Sequence, residues 1–194
     1  MKLANLHLTD FHGKLLNGLL FQLGWFLAVL GGDYWALVAL VIMVFVHGAF
    51  WVRDRREWWL VVTVTVVGSC LDSVWVLLGF LVPDPVLDHS VELGFLQSQS
   101  LQPEWLQTRI PLWLVCIWAM FSMTLTHVLS WLSRRYLLAA LLGAMAAPLS
   151  YWSGAQLSGM AIGVPVGLSL LVIAIGWALL MPIFMMWSQR VVST

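Results

Sequence analysis

Residues 58–82 read WWLVVTVTVVGSCLDSVWVLLGFLV and follow directly on the basic run RDRRE at 53–57. A helix needs about 20 apolar residues to cross roughly 30 Å of hydrocarbon, because lipid offers no partner to an unpaired backbone amide. The stretch has that length with a single charge, Asp72, and its basic flank marks where the chain meets water. The same reading selects 15–31, 34–52, 111–132, 137–152 and 161–187, the first and the fourth of these five being a little short. The expected fold is therefore all-α, an integral membrane bundle of six transmembrane helices forming one domain over 1–194.

Composition agrees with this choice of solvent. Apolar residues make up 61% of the chain and charged residues 9%, with a mean hydropathy of +0.93, against about 25% charged residues in soluble domains. Nine basic and nine acidic residues leave no net charge, which argues against a nucleic-acid binder and against an acidic disordered tail. Cys70 and Cys116 both lie in apolar runs, so no disulfide scaffold is expected. No small-x-small cleavage site follows the first apolar run, and the first span is expected to stay in the mature protein.

Lys and Arg concentrate in the cytoplasmic loops of membrane proteins. Lys2, Lys14, Arg53, Arg55, Arg56, Arg134, Arg135 and Arg190 fall on one side of a six-span arrangement, and Arg109 alone on the other. Both termini are thereby expected in the cytoplasm and the loop 83–110 in the periplasm, where its Leu93, Phe95, Leu96, Leu101, Trp105 and Leu106 suit a segment resting on the membrane surface. Of thirteen Trp, nine fall near span ends, at headgroup level; Trp25, Trp75, Trp118 and Trp177 sit within spans and either fill the bundle or face lipid. Small residues at spacing four, Ala139, Gly143, Ala147 and then Gly163, Gly167, predict close helix approach. Pro148 interrupts its span, and the chain shows no internal repeat of the kind that builds transporters.

Polar residues at depth are the candidate site. A charge at the centre of a span costs about 2.5–3.5 kcal/mol on insertion scales, so Asp72 either protonates, pairs or faces a wet cavity, as a functional carboxylate or as a hydrogen-bonded joint between helices. His47 and His127 precede their basic clusters, at Arg53 and Arg134, by about the same number of residues and share a depth. Imidazoles from two helices at one level suit a b-type haem, a metal or a proton relay, or else two histidines with ordinary local partners. A stripe of Gly18, Gln22, Trp25 and Val29 in the first span brings Gln22 to that level. The expected polar core is Gln22, His47 and His127 in the inner half with Asp72 deeper, lined by Asn17, Trp25, Ser69, Trp75, Trp118, Thr124 and Tyr151. No P-loop, dinucleotide fingerprint or H-E-x-x-H run is present, and one deep carboxylate does not make an aspartyl dyad. The reading thus leans away from an enzyme, with no metal and no cofactor expected beyond the haem alternative.

The run Asn17, Phe21, Gln22, Gly24, Trp25, the step Asp72, Ser73, the pattern Trp113, Trp118, Phe121, Thr124, Leu125, His127, Trp131 and the segment Pro148, Tyr151, Gly154 resemble a bacterial family of small multi-span inner-membrane proteins catalogued only as a domain of unknown function. The resemblance covers nearly the whole chain. It implies a compact helical domain in the inner membrane of a Gram-negative bacterium, with no assigned activity, in a setting of fatty-acid modification that favours a lipid-related role. Three functions stay open at this point. The first is an accessory protein that holds a lipid or apolar small molecule among its helices, with the bilayer and that molecule as its partners. The second is a proton-coupled transporter or channel using Asp72, which with six spans would need a homodimer. The third is a redox protein with haem between His47 and His127.

Overall fold

Gly32 turns the first apolar stretch back on itself. In the computed structural model, which describes residues 10–52, 54–83, 110–158 and 160–192, α1 (Asp10–Val46) is interrupted at Gly32, whose φ of 66° and ψ of −158° are non-helical. That conformation is open essentially to glycine alone. A methyl group on Gly24 would stand 3.6 Å from Ala39 Cβ, and one on Gly13 3.4 Å from Trp51 Nε1. A straight helix would hold positions 24 and 39 about 22 Å apart. The two arms of α1 therefore run antiparallel. Asp33, just past the turn, accepts the backbone N–H of Trp113 at 2.8 Å and so caps the start of α3 (Leu112–Ser122) from a different element.

A π-helical turn, His47–Trp51, ends the second arm, and α2 (Arg56–Leu77) returns through the bundle. Here the expected span 58–82 is corrected. Gly79, at φ 75°, ends the helix, and Leu81–Pro83 forms β1, paired antiparallel with β2 (Met160–Ile162) in the register Leu81↔Ile162, Val82↔Ala161, Pro83↔Met160. The last helix, α5, accordingly runs Val166–Val192 and does not begin at 161. Hydropathy runs unbroken through both flanks, so composition gave no sign of this small ribbon in an otherwise helical chain. The surroundings expected for 83–110 concern residues of which 84–109 lie outside the described ones.

The expected span 111–132 is also not one helix. After α3 stops at Ser122 the chain passes through turns to a 3-10 turn, Ser130–Leu132. The hydroxyls of Ser122 and Thr124 donate back to the carbonyls of Ala119 and Phe121, each at 2.6 Å, which competes with helical bonding. A break in a dry interior needs a substitute partner for the groups it frees. Asn17 supplies it: its Nδ2 donates to the Met123 carbonyl at 3.2 Å and its Oδ1 accepts the Val128 N–H at 3.5 Å.

The final hairpin joins α4 (Tyr136–Leu157) to α5. Ala139, Gly143 and Ala147 are buried as expected, and a Cβ on Gly143 would meet Met181 and the Trp177 carbonyl at 2.7 Å. Gly167, by contrast, borders open space. Tyr136 donates its hydroxyl to Gln189 Oε1 at 3.0 Å where the two helices meet again. These contacts, with Gly13 beside Trp51 at one end and Asp33 beside Trp113 at the other, place Lys14, Arg55, Arg56, Arg134, Arg135 and Arg190 at a common basic end. The outside of the bundle is apolar, with Leu23, Val41, Phe45, Val62, Val66, Leu141, Met145, Leu171 and Leu179 among its exposed side chains. Among the described residues four helices, Phe11–Trp51 counted as one, are long and apolar enough to cross a membrane.

Candidate functional site

Asp72 is fully buried on α2 and held from two sides. Its Oδ2 accepts the indole N–H of Trp118 on α3, and its Oδ1 accepts the hydroxyl of Tyr151 on α4, both at 2.6 Å. Three helices are thus pinned at one carboxyl group. Sequence makes room for this: Gly68, one turn before Asp72, lies directly under Trp118, and any side chain there would overlap the indole. Trp177 stacks on the other side of Trp118 at a ring separation of 4.9 Å and an interplanar angle of 8°. Trp75 meets Tyr151 edge-on at 5.6 Å. The interior tryptophans fill the bundle: Trp75 and Trp118 are buried, and Trp25 and Trp177 are partly so.

In front of this bracing lies a cavity of about 340 Å³. Its wall combines Phe21 and Trp25 of α1, Trp113, Trp118 and Phe121 of α3, Gly143, Ala147 and Tyr151 of α4, and Trp177 and Met181 of α5. The lining reaches Leu81, Met160 and Ile162 of the β-ribbon at one end and Leu129, Trp131 and Leu132 at the basic end. Polar atoms are nearly absent from it: Tyr151 is committed to Asp72, and Ser150 and Ser158 are the other hydroxyls. The first arm of α1 and α4 scarcely touch. Ala146 and Ser150, on that side of α4, line the cavity and are also exposed, so the space opens sideways between these helices.

The second polar cluster stands at the basic end. His47 opens the π turn, Glu57 lies in the first turn of α2, and His127 sits in the turns after α3. Glu57 Oε2 is 3.9 Å from His47 Nε2 and 3.7 Å from His127 Nε2. The imidazole centroids are 5.1 Å apart, with Trp58 5.4 Å from His47 and Trp51 5.5 Å from His127. His47 is 1% exposed and neither of its ring nitrogens has a hydrogen-bond partner among the described residues.

The polar residues singled out by sequence thus fall into separate places. His47 and His127 do meet, as their shared depth suggested. Asp72 does not join them: Glu57 and Asp72 lie on the same helix, and fifteen residues of helix span about 22 Å. Gln22 is corrected as well, for it is exposed on the outer face of α1. The face that turns inward there carries Asn17, Gly24 and Ala28, with Phe21 and Trp25 at its edge; the stripe through Gly18 and Gln22 was offset by one position, enough to turn a side chain about 100° around a helix. Asn17 and Thr124 serve the break after α3, Trp25, Trp118 and Tyr151 line the cavity, and Ser69 and Trp75 flank Asp72. Glu57 was missed because it stands next to Arg55 and Arg56 and passes for a headgroup-level charge.

Comparison with known proteins adds a family. A family model described as a protein of unknown function (DUF2878) matches residues 14–183. The chain belongs to that family. Its matched region contains every residue of both sites. No curated protein and no solved structure matches the chain.

Proposed function

We propose that this DUF2878 protein crosses the bacterial inner membrane six times, with both termini in the cytoplasm, and holds one apolar chain, the acyl chain of a lipid or a molecule like it, within its bundle. The observation that carries this reading is the apolar cavity of about 340 Å³ that opens sideways between α1 and α4. The antiparallel arms of α1 and the common basic end of the helices support the six crossings and the orientation. A pocket so poor in polar groups gains affinity by removing apolar surface from its surroundings and by contact with aromatic walls. Its side opening would admit a chain directly from the bilayer.

Asp72 acts in this reading as a brace. Its two hydrogen bonds hold Trp118 and Tyr151 as a fixed wall; a carboxyl group engaged on both oxygens favours bracing over a carried proton. Purification in mild detergent followed by native mass spectrometry and lipid extraction tests the proposal. The wild-type chain is expected to carry a bound lipid or apolar molecule at a defined stoichiometry. Ala146→Trp, which fills the mouth at an exposed position, should lower that content severalfold without lowering thermal stability. Equal content in the two proteins would remove the cavity as the binding site.

A further inference from the structure

We propose that His47, Glu57 and His127 form a binding site for one divalent first-row transition-metal ion at the basic end of the bundle. The π turn, the first turn of α2 just after it and the turns that follow α3 deliver two imidazoles and one carboxylate to a common point, with their ligand atoms all within 4.8 Å of one another. Ligands of a tetrahedral four-coordinate ion, bonded at about 2.0–2.2 Å, stand about 3.3–3.6 Å apart. The 3.7 and 3.9 Å separations from Glu57 Oε2 exceed this by a few tenths of an ångström and every separation in the set stays within 4.8 Å, so binding would draw the three side chains inward by rotation.

The surroundings independently point to a ligand. His47 is buried with both ring nitrogens lacking hydrogen bonds, a costly state that a metal bond relieves at one of them. It also occupies the first position of a π-helical turn, a local widening that recurs at functional sites. The Glu57 carboxylate is 11% exposed, and a dication beside it offsets the cost of burying its charge. Trp58 packs against His47 and Trp51 against His127, so aromatic rings flank the cluster.

Donor chemistry sets the class of ion. Two imidazole nitrogens with one carboxylate suit zinc(II) or iron(II), whereas magnesium and calcium prefer all-oxygen sets. Three protein ligands leave one or more coordination positions for water. Glu57 Oε2 already lies against both Nε2 atoms, an arrangement suited to an ion and not to a macrocycle between the rings. The site is independent of the apolar cavity, so metal content and lipid content can fail separately.

The test uses the full chain in detergent with a tag that contains no histidine. Elemental analysis of protein from metal-replete cells should give close to one zinc or iron per chain. After chelation, added cobalt(II) should produce the visible absorption of a four- or five-coordinate ion. His47→Ala and Glu57→Gln should each weaken cobalt binding by about 100-fold or more, removal of a ligand exceeding the 10–100-fold cost typical of its supporting partners. His12→Ala, an exposed position outside the cluster, should bind as the wild type does. Wild-type protein that carries no metal and gives no cobalt spectrum overturns the proposal, whatever the variants do. Cobalt binding that survives both substitutions in folded protein overturns it equally.

Discussion

Asp72 and Asn17 show how a few polar side chains do structural work where water is absent. Asp72 accepts two short hydrogen bonds, so Tyr151→Phe, which removes one donor and leaves the other bond, should destabilise the protein by about 1–3 kcal/mol. Asp72→Leu leaves both the Trp118 N–H and the Tyr151 hydroxyl without an acceptor and should cost more than Tyr151→Phe. Thermal unfolding in detergent checks the order, and equal losses would deny the carboxyl group its role as a joint. Asn17→Ala strips the Met123 carbonyl and the Val128 N–H of their partner and should cost about 1–3 kcal/mol by the same assay. Asp72 was legible in the sequence because a charge in an apolar run stands out. Its partners were not: Trp118 and Tyr151 lie 46 and 79 residues away, and nothing in their local patterns says which rings meet the acid.

Among the elements, α1 and α3 depart most from what apolar runs suggest. The reversal at Gly32 depends on a backbone conformation closed to other residues, so Gly32→Ala should cost about 1–3 kcal/mol. It should also loosen the capping of α3 by Asp33, visible as faster amide exchange at Trp113; unchanged exchange would separate the turn from the cap. Gly68→Ala places a methyl group into the indole of Trp118 and should displace that ring, read as altered tryptophan fluorescence together with a lower melting temperature. Hydropathy marked these stretches as apolar but did not show where each helix stops or breaks. An apolar run does not distinguish helix from the strand pair Leu81–Pro83 and Met160–Ile162, nor from the turns after Ser122, because all of them bury the same residue types. Tertiary partners made those irregular segments tolerable: each strand satisfies the other, and Asn17 satisfies the broken helix.

The whole bundle packs tightly along α4 and α5 and leaves space in front of Trp118 and Tyr151. Filling that space from within, by Ala147→Phe, should raise or preserve stability only if the cavity is empty in the purified protein. With a bound chain it should instead displace the ligand, a difference that lipid extraction before and after substitution reads directly. The sequence by itself located the long apolar stretches, their basic flanks and the shared depth of His47 and His127, because each follows from the composition of a contiguous run or from distance to a charged flank. The tertiary structure decided that Asp72 braces aromatic rings some 22 Å along α2 from the histidines, that Gln22 faces outward, and that Glu57 completes the histidine cluster. Depth along a helix can be counted in residues, but which face meets which neighbour depends on rotation about the axis, and only packing against the other helices sets that.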